Sequence, residues 1–148
     1  MRMPTKARYG MRAMLDLALH GGQSRPVLLR EVAARQGLSE RYLGQVFILL
    51  RRAGLVRSAR GAKGGFMLAR PPERIDLLEI VEACIGELSM VECVSSRSYC
   101  NRADDCATRL VWEEVTSSMR EVLAGKTLAD LVVMQEGMEN GSRAMYYI

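Results

Sequence analysis

Three cysteines crowd into 14 residues of the chain: Cys93, Cys100 and Cys106, spaced C-x6-C-x5-C within VECVSSRSYCNRADDC. This stretch has neither helical nor alternating apolar periodicity, so residues 90–105 read as a polar loop with no core in which to hide thiols. Three chemistries suit it. An iron–sulfur cluster needs about four soft ligands converging from a flexible segment, and three are present. A thiol switch needs two neighbouring cysteines, one with a lowered pKa, and the adjacent Arg97 and Arg102 favour thiolate. Structural zinc asks for four ligands, commonly from C-x2-C pairs, which are absent here, and the one histidine, His20, is far off in the chain. Cluster, switch and zinc rank in that order. The fourth cysteine, Cys84, differs: Leu77, Ile80, Val81 and Cys84 share one helical face, where a free cysteine acts as a small buried hydrophobe.

The elements around this loop have two electrical characters. Residues 1–74 carry 15 Lys/Arg against 4 Asp/Glu, and residues 75–148 carry 6 against 13, so a net of +11 faces a net of −7 within a total of +4. A basic half of that size is the footprint of a polyanion partner, with surface solubility as the plainer alternative.

Periodicity makes the basic half helical. Met11, Met14, Leu15 and Ala18 line one face of a helix over Thr5–His20, ended by Gly21-Gly22. LLREVAARQ forms a second helix, stopped by Gly37. Ser39 is a good N-cap for a third, SERYLGQVFILLRRAG, with Leu43, Val46, Phe47 and Leu50 turned inward. Two short helices joined by a glycine-containing turn suggest a helix-turn-helix, or a plain helical hairpin. A strand over Leu55–Ala59, a basic glycine-rich loop (Arg60-Gly61-Ala62-Lys63-Gly64-Gly65) and a returning strand over Phe66–Ala69 favour the former, because this order is that of a winged helix.

Subtracting the inward residues leaves Ser39, Glu40, Arg41, Gly44 and Gln45 facing out at the end of the third helix that contacts base edges in such proteins. Arg41 matches guanine and Gln45 matches adenine. Arg51 is placed for phosphate or solvent. Arg60 and Lys63 are placed for a phosphate or a minor groove, and Arg60 is the foremost DNA-contact candidate.

Pro71-Pro72 mark a break. The expected organisation is a winged helix-turn-helix domain over residues 1–72, a linking helix and cysteine loop over 73–105, a dimerisation helix over 106–135 with Val111, Val115, Met119 and Val122 along one stripe, and a flexible tail over 136–148. The fold class is mostly α with a small β-hairpin wing. The long helix serves a homodimer because helix-turn-helix readers normally act as two-fold pairs, packing back on its own domain being the alternative.

At 49% apolar and 26% charged residues the composition is globular, which excludes disordered and collagenous classes. No apolar run approaches the length of a membrane span, and the opening MRMPTKARYG lacks a signal-peptide core, so a cytoplasmic protein without membrane contact is expected. No Ser-His-Asp grouping, P-loop or dinucleotide fingerprint occurs, so no enzyme is expected. An iron–sulfur electron carrier remains as a distant alternative, one that leaves the basic half without a purpose.

MRMPTKARYGMRAMLDLAL, QGLSERYLGQVFILLRRAGLVRSARGAKGGFML and the trio Cys93, Cys100, Cys106 followed by Trp112 together resemble the bacterial iron–sulfur cluster regulators, winged helix-turn-helix homodimers with IscR, NsrR and CymR branches. The resemblance spans about residues 1–135. It implies a 2Fe-2S or 4Fe-4S cluster held by the three cysteines and controlling affinity for a double-stranded operator, and a dimer built on the helix after Cys106. The CymR branch implies instead a cluster-free repressor switched by cysteine oxidation or by a partner enzyme. Three positions depart from the family. The histidine that ligates in the IscR branch, three residues after the last cysteine, is Arg109. The NsrR branch's ligating aspartate of the first helix matches Arg8. The recognition-helix glutamate of IscR matches Gly44. A guanidinium has no lone pair for iron, so the fourth ligand stays open among Asp104, Asp105, Glu92, His20, water and a small thiol.

Overall fold

The computed structural model describes residues 1–60 and 64–146. Seven helices occur among them: α1 (Thr5–His20), α2 (Leu29–Gln36), α3 (Glu40–Arg52), α4 (Leu77–Ile85), the single turn α5 (Glu92–Ser95), α6 (Ala107–Ala124) and α7 (Leu128–Tyr146). β1 (Val56–Ser58) and β2 (Phe66–Leu68) pair antiparallel in the register Val56↔Leu68, Arg57↔Met67, Ser58↔Phe66. This is a winged helix-turn-helix followed by a helical second half.

The local chemistry explains the breaks. Gly37, at φ +64°, ends α2 in the left-handed conformation that glycine adopts without penalty. Ser39 then accepts the Tyr42 N–H at 3.3 Å to start α3. At the base of the wing Gly65 sits at φ +108°, and a Cβ there would lie 2.6 Å from the Val27 carbonyl oxygen, so only glycine lets β2 approach the strand-like Val27. Phe66 N–H donates to Val27 O at 2.8 Å across that approach.

The periodic faces close on one core. Met14 and Leu17 of α1, Val32 of α2, Leu43, Val46, Phe47 and Leu50 of α3, Leu55 and Leu68 of the wing and Ile80 of α4 are buried together. Phe47 stacks on Phe66 with ring centroids 4.5 Å apart, tying the recognition helix to the wing. Asp76 caps α4 by accepting the Glu79 N–H at 2.9 Å. Cys84 is buried on the inner face of α4.

Three expectations change in the second half. Residues 106–135 are not one helix: α6 ends at Gly125, and Thr127 with Asp130 starts α7 reciprocally, Thr127 N–H donating to Asp130 Oδ2 at 2.8 Å and Asp130 N–H to Thr127 Oγ1 at 3.2 Å. Leu77 N–H to Lys126 O and Leu128 N–H to Ile75 O, at 3.0 and 2.8 Å, fasten this break to the start of α4. Residues 136–146 continue α7 rather than trailing as a tail, although Gly137, Asn140 and Gly141 weaken helix propensity there. Residues 90–105 are not wholly irregular either, since they contain α5 and the 3-10 turns Arg97–Tyr99 and Ala103–Asp105. No helix among the described residues is long and apolar enough to cross a membrane.

Candidate nucleic-acid interface and cysteine segment

The α3 face anticipated for base reading is free. Ser39, Glu40, Arg41, Gln45, Arg51 and Arg52 are exposed, while Leu43, Val46, Phe47 and Leu50 are buried. Ser39 spends one lone pair on its cap and keeps its hydroxyl proton. Arg51 is drawn to the wing, its NH1 donating to Ser58 Oγ at 3.2 Å. Gly44 does not face outward: it is half-buried, and a Cβ there would rest in ordinary contact with Leu29 Cδ2 at 3.5 Å, so the position is turned toward α2. Arg60 is exposed at the outer end of β1. Lys63 lies outside the described residues.

Two further arginines join this surface. Arg57 is exposed on β1. Arg30 lines a groove of about 320 Å³ with Glu40 at the start of α3 and Gly65 and Phe66 at the base of the wing. No spacing rule separates these two from the many other arginines of the basic half, since it is folding that brings the start of α2 beside the wing.

The cysteine segment is laced to one polar stripe of α6. Arg109 is only 5% exposed; its Nε donates to Cys93 O at 3.0 Å and its NH1 pairs with Glu113 at 2.6 Å. Two turns after Arg109, Thr116 Oγ1 accepts the Met90 N–H at 3.1 Å. Arg120 then reaches Leu88 O at 3.3 Å and pairs with Glu82 of α4. Arg109, Thr116 and Arg120 are spaced to share a helix face, and together they hold residues 88–93 against it. On the side of α6 turned away from that stripe, the apolar Val111 and Val122 are bare, 55% and 59% exposed.

Cys93, Cys100 and Cys106 are free thiols, each half-buried. Cys106 precedes the first residue of α6. Hydrogen bonding from the Thr108 hydroxyl, 3.1 Å from Sγ, and then from the Arg109 backbone N–H holds its thiol below the ordinary range, with Arg102 a minor contributor. Arg97 instead faces Asp104 at 3.5 Å in full solvent. Burial drives Cys84 the other way, up to about 11. As donors the three segment thiols fit an iron–sulfur cluster: they are soft, reduced and unpaired. Among the described residues, however, no three His, Cys, Asp or Glu side chains converge on a point that could hold a metal ion. Arg109, at the position where the family resemblance puts a histidine ligand, is turned to a carbonyl and a carboxylate.

Comparison with known proteins accounts for the winged fold and the second half together. The family model Rrf2, described as an iron-dependent transcriptional regulator, matches residues 3–134. The chain belongs to the Rrf2 family. It is 37% identical to the transcriptional regulator IscR of Xenorhabdus nematophila over 97% of this chain and 86% of that one. Among solved structures, IscR of T. potens shares 41% identity at TM-score 0.75, covering 93% of this chain and 90% of its own. CymR, the global cysteine regulator of B. subtilis, shares 36% identity at TM-score 0.74, covering 90% and 98%. This Rrf2 protein is thus a DNA-binding transcriptional regulator, and the family is one of regulators rather than enzymes.

Proposed function

We propose that this Rrf2 protein is a homodimeric regulator whose operator affinity is set by an iron–sulfur cluster held by Cys93, Cys100 and Cys106. The carrying observation is the division of labour along the chain. A free basic surface on α3 and the wing is separated by a buried core from a three-thiol segment laced to α6. In this reading Arg41 and Gln45 read base edges, with Glu40 beside them, while Arg30, Arg51, Arg57 and Arg60 hold phosphates or enter a groove. The bare side of α6 meets its equivalent in a second copy. A cluster would supply a redox- and iron-dependent crosslink of the segment.

A second reading is favoured by one observation, the burial of Arg109 against Cys93 O and Glu113 without convergence of the thiols. In it the segment works without metal, through oxidation of its cysteines or a partner enzyme, with Cys106 the more reactive thiol. Anaerobic reconstitution decides between them. The cluster reading expects a brown protein with iron and sulfide in proportion, and expects Cys93→Ser, Cys100→Ser or Cys106→Ser to lose iron while keeping the melting transition. A colourless wild type that takes up no iron overturns it and leaves the metal-free regulator.

A further inference from the structure

The last turn of α2 is held on α1 by a polar network, centred on one buried carboxylate, that neither the base-reading face nor the cysteine segment uses. Asp16 of α1 is 1% exposed. Arg35 grips its carboxylate as a fork, NH2 to Oδ1 at 2.7 Å and Nε to Oδ2 at 3.0 Å, and Gln36 Nε2 donates to Oδ2 at 3.0 Å. One turn earlier on α1, Arg12 donates through Nε to Gln36 Oε1 at 3.0 Å and through NH2 to Gln36 O at 2.6 Å. That carbonyl lies at the end of α2, where helix acceptors lack intrahelical partners and a cation is favoured.

Every one of these bonds lands on Arg35 or Gln36, and only Gly37, Leu38 and Ser39 separate Gln36 from α3. The remaining hold of α1 on α2 and α3 is apolar, through residues such as Leu17, Val32, Leu43 and Leu50. Apolar contacts carry little direction, and repacked cores lose uniqueness before they lose stability. A forked guanidinium–carboxylate pair has fixed geometry. We infer that Asp16 is a positioning residue for DNA recognition: through Arg35 and Gln36 it sets the angle at which the turn delivers α3 to the major groove. The inference rests on α3 being the base-reading helix.

The test uses the full-length protein and two probes. One is a duplex enriched by the wild type from a randomised pool, and the other is poly(dI-dC) of equal length. Asp16→Leu with Arg35→Met removes the buried carboxylate together with its partly exposed partner (side chain 32% exposed), so that no charge is left unpaired, a change that ion pairs often tolerate in stability. The expected result is unchanged helix content and melting, unchanged affinity for poly(dI-dC), and a Kd for the enriched duplex raised roughly tenfold to a hundredfold, the size of a lost base contact. Wild-type discrimination by a folded double variant overturns the inference. Equal loss on both probes overturns it too, since it would mean that Arg35 itself touches phosphate. Should the pair fail to fold, Arg35→Lys keeps the charge without the fork, and unaltered discrimination there counts equally against the inference. Failure of the wild type to enrich any duplex would instead remove the reading of α3 on which the inference stands.

Discussion

Gly10 of α1 lies directly against the thiol of Cys84 of α4: a Cβ built on Gly10 would run into Cys84 Sγ. The absent side chain at one position and the small one at the other set how closely the two helices approach. Gly10→Ala is therefore expected to destabilise, with about 1–3 kcal/mol of overpacking outweighing roughly 0.5–1 kcal/mol of helix propensity gained. In a Cys84→Ala background the same change is expected to stabilise, because the obstructing sulfur is gone. A double-mutant cycle by chemical denaturation reads this sign reversal, and equal effects in both backgrounds would refute the contact.

Burial that lifts the Cys84 thiol to about 11 has a pH consequence. A thiol whose folded pKa is raised contributes stability that is fully present below its ordinary value near 9, and loses it as pH rises through about 11. Alkylation of the metal-free protein at neutral pH is expected to modify Cys106 first, its thiol being lowered by Thr108, and to leave Cys84 untouched. Mass mapping of the alkylated sites checks the order.

Val111 and Val122 are exposed on the bare side of α6, so Val111→Glu with Val122→Glu costs the isolated subunit little. In a dimer joined through that side the same charges would meet in an apolar seam. The expected outcome is a wild type that sediments as a dimer at micromolar concentration and a variant that sediments as a folded monomer. A wild type that is already monomeric would count against the assembly.

Arg60→Ala is expected to weaken binding to the enriched duplex by about 1–3 kcal/mol, as for loss of one groove contact. For the wild type, log affinity should fall against log salt with a slope near −0.9 per phosphate contact. Titrations at several salt concentrations measure both quantities, and wild-type affinity in Arg60→Ala would remove the wing from the interface.

Arg109→Ala removes the bond to Cys93 O and leaves Glu113 without its partner. Faster amide exchange is expected across residues 88–93, which Arg109, Thr116 and Arg120 hold together, with little change in α1–α3. Exchange unchanged in that segment would show that Thr116 and Arg120 suffice.

How much of this was legible beforehand follows the range of the forces involved. Helix α1 over Thr5–His20, the Ser39 cap, the inward set Leu43, Val46, Phe47 and Leu50, the two-stranded wing and the burial of Cys84 all follow from the sequence, because capping and periodicity act within one or two turns of chain. The spacing of Cys93, Cys100 and Cys106 likewise announces soft-ligand or redox chemistry without any fold. Tertiary structure alone decided that Asp16 meets Arg35 across 19 positions, that Arg109 is buried on Cys93 O, that Arg30 stands beside the wing and that Gly44 faces α2. These depend on which surfaces meet when the helices pack, and a polar side chain chosen by a partner far along the chain leaves no periodic trace in its own neighbourhood.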